Sequence, residues 1–156
     1  MRRRCPAGVL VVGYGNPLRG DDGIGWHAAG LLATDPRLDR ARVLTHHQLA
    51  PELAEDISRA SLVVLVDASV DGDPGSVRVR TVEPRPAART TWSHHLDPQT
   101  LAGLAEALYG LVPPIVLVSV AAGSFAEGAG LSAALERALP EVVEVVAGVV
   151  TGRRAH

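Results

Sequence analysis

The sequence predicts an α/β fold: a three-layer α/β/α sandwich with a mostly parallel sheet of about five strands. Three short runs of continuous apolar residues lie near 8–12, at 62–68 and at 115–121. Such runs are typical of strands that are buried on both faces of a parallel sheet. Segments of helical character separate them, and strands that alternate with helices favour a sandwich of three layers.

Two further strands are less marked in the sequence. Residues 41–46, ARVLTH, predict a short one. Residues 76–82, SVRVRTV, alternate valine with arginine. This alternation is typical of an edge strand or of a half-exposed strand.

Four helices are predicted between the strands. The first extends from about Asp22 to Ala33, with two aspartates in its first turn, where the helix dipole favours negative charge. The others occupy about 52–58, 98–109 and 132–151. Pro140 is expected to kink the last helix or divide it in two, because proline removes one helical hydrogen bond.

Composition limits the classes of function that the chain can have. Its 156 residues predict one domain, 1–156, with a core of about 8–151. The net charge of −2 gives no reason to expect nucleic acid or a membrane surface as a partner. The single cysteine, Cys5, excludes an intrachain disulfide and a cysteine-based zinc site. No apolar run approaches the ~18–20 residues that span a bilayer, and we expect a soluble, cytoplasmic protein.

The segment GYGNPLRGDDGIG, residues 13–25, is rich in glycine but lacks a nucleotide-binding motif. Leu18 breaks the dinucleotide fingerprint, and the adjacent pair of aspartates would repel a pyrophosphate. The Gly-Lys-Ser/Thr ending of a P-loop is absent, so we expect no nucleotide cofactor. Gly13 and Gly15 instead predict a tight turn, held by Asn16, that brings the acids close to the edge of the sheet.

Polar residues follow most of the predicted strands. In open α/β sheets, ligands bind at the carboxyl ends of the strands, so these residues are expected to share one site. Acids and histidines that converge in this way are typical of a metal site. The set comprises Asn16, Asp21, Asp22, His46, His47, Gln48, Asp67, Ser119, His94 and His95.

The acids and histidines of this set also have structural interpretations. Asp67 could accept hydrogen bonds from backbone amides of the following loop. One of Asp21 and Asp22 could cap a helix while the other points into the cleft, and Asp21 suits the cap better. His95 could be an ordinary surface histidine in the irregular segment 83–95.

Several ordered motifs together resemble one known family. These are GYGNPLRGDDGIG at 13–25, VDAS at 66–69 and SHHLDP at 93–98, with HQLAPELAE at 47–55 and GSFAEGAGLS at 123–132. They resemble the hydrogenase maturation proteases, endopeptidases that trim the C-terminus of the large subunit of nickel–iron hydrogenases. The likeness extends from Val9 to about Val150.

The resemblance implies the α/β sandwich, a substrate and a set of site residues. The substrate is the large-subunit precursor, which carries the nickel, so that cleavage follows metal insertion. Asp22, Asp67 and His95 are implied as the metal ligands. Some family members carry Glu at the position of Asp22, which leaves Asp21 open as an alternative ligand.

The mechanism that follows is metal-assisted hydrolysis. No nucleophilic serine or cysteine set and no HExxH motif is recognisable, so we expect water to attack the peptide, with Asp22 or Asp67 as general base. Gly13, Gly15, Asn16, His47 and Gln48 are expected to shape the loop or bind substrate. Two other functions remain open: a nickel-sensing chaperone of the precursor that does not cut, and a metal-dependent hydrolase of small molecules.

Overall fold

A computed structural model describes residues 8–86, 96–128 and 130–152. The strands are β1 Val9–Tyr14, β2 Arg42–His46, β3 Leu62–Ser69, β4 Val77–Thr81 and β5 Ile115–Ala121. The α-helices are α1 Ile24–Leu32, α2 Leu53–Arg59, α3 Pro98–Tyr109 and α4 Ala133–Thr151, and short 3₁₀ helices lie at Gly20–Gly23 and Pro36–Leu38. The order of strands and α-helices predicted from the sequence is confirmed.

The five strands form one sheet in the order β2-β1-β3-β5-β4. Every neighbouring pair is parallel except β4 and β5, which are antiparallel. The strand with alternating valine and arginine, β4, lies at an edge, as predicted. The carboxyl ends of β1, β2 and β3 therefore meet at one side of the sheet, where the functional residues are expected.

Two apolar clusters cover the two faces of the sheet. Alternate residues of each central strand point to opposite faces. Val11, Val64 and Val118 pack with α1 and α4 on one face. Leu10, Leu65 and Leu117 pack with α2 and α3 on the other. The predicted three-layer sandwich is confirmed.

The first helix differs from the prediction. The two aspartates lie in the 3₁₀ helix Gly20–Gly23, and α1 begins only at Ile24. The amide of Asp22 donates to the Arg19 carbonyl at 3.1 Å, and that of Asp21 donates to the Ser124 carbonyl at 2.9 Å. The first of these contacts is local to the turn, and the second ties Asp21 to the loop that follows β5.

The last helix is not divided, contrary to the alternative that Pro140 splits it in two. It extends as one helix from Ala133 to Thr151. Pro140 is exposed, whereas Ala138 and Val142 on either side of it pack into the core. Because the proline faces solvent, water can satisfy the carbonyl that loses its helical partner, while the apolar face keeps the helix in place.

Within the described ranges, none of the helices has both the length and the apolar character that crossing a membrane requires.

Candidate active site

A cavity of about 430 Å³ opens at the carboxyl ends of β1, β2 and β3. It brings together both predicted catalytic acids, Asp22 and Asp67, although 45 positions separate them in the sequence. The lining residues are Tyr14, Gly15, Asn16, Arg19, Asp22, His47, Gln48, Leu49, Asp67 and Leu96. Three described members of the predicted polar set are not among them: Asp21, His46 and Ser119.

Two glycines allow the turn after β1 to lie against α1 and against the acid pair. A Cβ on Gly13 would lie 2.0 Å from the carbonyl oxygen of Gly25 in α1. Gly15 has φ of +132°, and a Cβ there would lie 2.2 Å from the carbonyl oxygen of Asp22. No side chain fits at either position, so both glycines are needed for the close approach of backbone to backbone.

Asp22 is fixed by the turn that it helps to close. Its carboxylate accepts a hydrogen bond from the backbone amide of Asn16 at 2.7 Å. The Asn16 side chain in turn accepts from the amide of Leu18 at 2.9 Å, as expected of an asparagine that stabilises a turn. The turn thus holds Asp22 at the cavity and leaves carboxylate lone pairs for a ligand.

Asp67 lies near the end of β3 and is partly buried. Its carboxylate accepts a hydrogen bond from the backbone amide of Ala68 at 2.8 Å and another from the Tyr14 hydroxyl. Burial, together with the negative charge of Asp22, raises the pKa of Asp67 to about 7, although the two hydrogen bonds oppose the rise. The amide contact agrees with the structural interpretation, but Asp67 also lines the cavity.

Asp21 is fully buried and does not reach the cavity. Its carboxylate accepts hydrogen bonds from the amides of Gly123 and Ser124 at 2.7 and 2.9 Å, and from the amide and hydroxyl of Ser132 at 2.6 and 2.8 Å. Burial opposes its ionisation, but these bonds outweigh burial and hold the pKa of Asp21 below its usual value. The role is not the predicted cap of α1: Asp21 binds the segment between β5 and α4. Of the two adjacent acids, Asp22 is the one that a ligand in the cavity can meet.

The end of β2 forms the side of the cavity next to the glycine turn. The carbonyl of His46 accepts the amide of Gly15 at 3.0 Å and the indole N–H of Trp26 at 3.2 Å. The same N–H donates to the Gly15 carbonyl at 2.8 Å. The His47 ring stands edge-on to the Trp26 ring, with 5.2 Å between centroids. Trp26 therefore joins the turn to β2 and supports His47 at the cavity.

The third predicted ligand, His95, lies outside the described residues, as does His94. The next residue in the chain, Leu96, lines the cavity. Among the residues that the structure describes, no three His, Cys, Asp or Glu side chains are grouped closely enough to hold a metal ion. The described part of the site is thus a pair of acidic side chains at one cavity, where the negative charge of Asp22 helps to raise the pKa of Asp67.

The sequence interpretation missed four lining residues: Tyr14, Arg19, Leu49 and Leu96. Burial first, and then the charge of Asp67, raise the pKa of Tyr14 above its ordinary value, so its hydroxyl remains a donor. The position of Tyr14 just after the first predicted strand was an available signal. The two leucines look like ordinary core residues in the sequence, and nothing local distinguishes them.

No protein-family model matches the chain, and no curated protein is similar enough to match it. Solved structures do match. The [NiFe] hydrogenase maturation protease HycI from Thermococcus kodakarensis KOD1 is 22% identical over 91% of each chain, with a TM-score of 0.71. The hydrogenase 2 maturation peptidase from Thaumarchaeota archaeon SCGC_AB-539-E09 is 25% identical, covering 90% of this chain and 96% of its own, with a TM-score of 0.68. The hydrogenase maturating endopeptidase HybD from E. coli is 23% identical over 88% of each chain, with a TM-score of 0.65. The resemblance predicted from the motifs is confirmed at the level of the fold.

Proposed function

We propose that this chain is an endopeptidase that removes a C-terminal peptide from the nickel-loaded large-subunit precursor of a nickel–iron hydrogenase. The observation that carries the proposal is the meeting of Asp22 and Asp67 in one cavity, on a fold shared with hydrogenase maturation proteases over about nine-tenths of the chain. The motifs that resemble the family in sequence are the segments that bring these acids together.

The donor set suits a metal that another protein also holds. Two carboxylate oxygens, with the imidazole of His95 as the proposed third ligand, leave coordination positions open. Nickel arrives in this proposal with the precursor, and the precursor's own ligands fill the open positions. An endopeptidase with such a site would act only on precursor that already carries nickel.

The proposed reaction is hydrolysis of one peptide bond by water. Asp22 or Asp67 takes the proton from the attacking water, and that proton is later available for the leaving amine. The nickel of the substrate would supply a positive charge that positions or polarises the reacting groups. The remaining lining residues shape the space for the peptide, with Arg19 as a cation and His47 and Gln48 as hydrogen-bonding groups.

The test compares nickel-loaded with nickel-free precursor, with mass spectrometry to detect loss of a C-terminal peptide. We expect a shortened product only from the nickel-loaded form. The variants Asp22→Asn, Asp67→Asn and His95→Ala should give no product while they remain folded. Asp71→Asn and His27→Ala serve as matched controls, because both residues are exposed and do not line the cavity.

Three other outcomes would each change the proposal in a different way. Equal cleavage of both precursor forms would contradict nickel recognition but keep the endopeptidase. A stable complex without a shortened product would indicate the chaperone. Turnover of small amides or esters without precursor would indicate the small-molecule hydrolase.

A further inference from the structure

Tyr14 and Asp67 are neighbours on adjacent strands of the sheet. Gly13 of β1 pairs with Val66 of β3 in parallel register, so the next residue of each strand lies beside the other. Neighbouring strands are ~4.8 Å apart, and residues paired in this way point to the same face. Both side chains line the cavity, and the Tyr14 hydroxyl donates a hydrogen bond to the Asp67 carboxylate.

The Tyr14 ring is itself held in place by its surroundings. It packs against the apolar cluster that joins the sheet to α2 and α3. This support makes the hydroxyl a donor of defined position, because the rigid ring leaves only the O–H torsion free.

Asp67 needs such a donor to keep one orientation. The last torsion of an aspartate side chain is broad, and the carboxylate can turn. The amide of Ala68 holds one oxygen, Oδ1, at 2.8 Å. A second donor on another element restricts the remaining rotation, as outer hydrogen-bond partners do for carboxylates that bind metals.

We propose that Tyr14 is a positioning residue for Asp67, and that its hydroxyl holds the carboxylate in the orientation that meets the nickel of the precursor. This inference rests on the proposed function, because it assumes that Asp67 contacts the metal. Tyr14 does not react with the substrate in this account: it acts through Asp67.

The test is the variant Tyr14→Phe, which removes the hydroxyl and keeps the ring. The chain has two tyrosines, and Tyr109→Phe is the matched control, because Tyr109 is exposed at the end of α3, remote from the cavity lining. Crystal structures of the wild type and both variants give the orientation of Asp67. A binding titration with nickel-loaded precursor gives the dissociation constant.

In Tyr14→Phe we expect the Asp67 carboxylate to rotate or to occupy more than one orientation. We expect the affinity for nickel-loaded precursor to fall about 10–100-fold, the usual loss when an outer partner of a metal ligand is removed. The loss should appear in KM more than in kcat, and affinity for nickel-free precursor should not change. Tyr109→Phe should match the wild type in every measurement.

An Asp67 carboxylate that keeps its wild-type orientation in Tyr14→Phe overturns the inference, and so does an affinity within twofold of the wild type. A lower melting temperature, with the orientation of Asp67 and the affinity for precursor unchanged, would show that Tyr14 stabilises the fold and does not position Asp67. Failure of the proposed function is distinguishable from this. A wild-type protein that neither binds nor cleaves precursor refutes the function, whereas the orientation of Asp67 still decides whether Tyr14 positions it.

Discussion

At the scale of single residues, the adjacent acids Asp21 and Asp22 have different roles because they face different surroundings. Asp21 is buried among four donors from one loop and one helix terminus. Asp22 closes the glycine turn and faces the cavity. Asp67 lines the same cavity as the negatively charged Asp22, so a ligand in the cavity can contact both carboxylates. One acid therefore stabilises the fold, and the other two are available for chemistry.

Ionised Asp67 should lower the free energy of unfolding of the ligand-free protein, and the variant Asp67→Asn should raise it again. The pKa of Asp67 is about 7 in the folded state and ~3.9 when unfolded. The folded state thus holds a proton that the unfolded state has lost, and stability falls as pH rises from ~4 to ~7. Urea unfolding should show Asp67→Asn more stable than wild type by about 1.5 kcal/mol at pH 5 and about 4 kcal/mol at pH 8. A gain that does not grow with pH would contradict this account.

The matched control is the same substitution at Asp21, where the sign is reversed. The folded pKa of Asp21 is lowered, so its ionised form contributes stability above pH ~3.9 that is lost as pH falls. The asparagine amide cannot accept from all the donors that Asp21 satisfies. We expect Asp21→Asn to destabilise the protein at pH 8 by about 3 kcal/mol or more, as for a broken buried network.

At the scale of elements, glycine decides how closely α1 approaches β1. A Cβ on Gly25 would lie 2.6 Å from the Val66 carbonyl, and one on Gly13 would lie 2.0 Å from the Gly25 carbonyl. The N-terminal part of α1 thus packs backbone to backbone against β1 and β3. This contact places the 3₁₀ helix, and with it Asp22, at the rim of the cavity.

The substitution Gly13→Ala should therefore destabilise the protein by at least ~2 kcal/mol, because neither backbone can move away without opening the core. Gly30→Ala, in α1, is the matched control. Gly30 is exposed, and nothing lies within 4 Å of the place that its Cβ would occupy. Alanine is the better helix former, so we expect a gain of about 0.5–1 kcal/mol there. Equal effects of the two changes on the urea midpoint would refute this contact.

Elements with local signals were predictable from the sequence. The third helix begins at Pro98 after Asp97, whose side chain accepts the amide of Thr100, and aspartate followed by proline is a local signal. The strands β1, β3 and β5 lie where continuous apolar runs predicted them, because burial on both faces leaves a plain pattern. The alternative that Pro140 divides the last helix was wrong, because the effect of a proline depends on the face of the helix that it occupies, which tertiary packing decides.

The candidate site was predictable only in part, because several of its contacts also depend on tertiary packing. The acids were recognisable because Asp21 and Asp22 follow the first strand and Asp67 lies near the end of the third. The partners of Asp21 lie 102 to 111 positions along the chain, and no local pattern specifies them. The contact of Tyr14 with Asp67 depends on the register of β1 against β3, which becomes clear only when the strands are paired.

At the scale of the whole molecule, the site is assembled from segments that only the complete sheet brings together. Asp22 follows β1, and Asp67 belongs to β3. The carboxylate of Asp21 ties the glycine turn to Ser132, the residue that caps α4. Elements on both faces of the sheet therefore support the cavity that Asp22 and Asp67 line. The helices α1 and α4 support it through the glycine turn, and α2 and α3 support it through the apolar cluster against which Tyr14 packs.

This arrangement predicts that the two faces unfold as one cooperative unit, in accordance with the single domain expected from the chain length. Ile24 of α1 and Ile57 of α2 are buried in the clusters on opposite faces, with 0% and 1% of their surface exposed. Each Ile→Val change should destabilise the protein by about 0.5–1.5 kcal/mol. Because the two residues lie on opposite faces of the sheet and belong to different clusters, the double variant should lose the sum of the two within about 0.5 kcal/mol. Urea unfolding followed by circular dichroism and by tryptophan fluorescence should give coincident transitions with an unchanged slope. Two separate transitions, of which each variant shifts only one, would show instead that the layers fold independently and that the rim does not couple them.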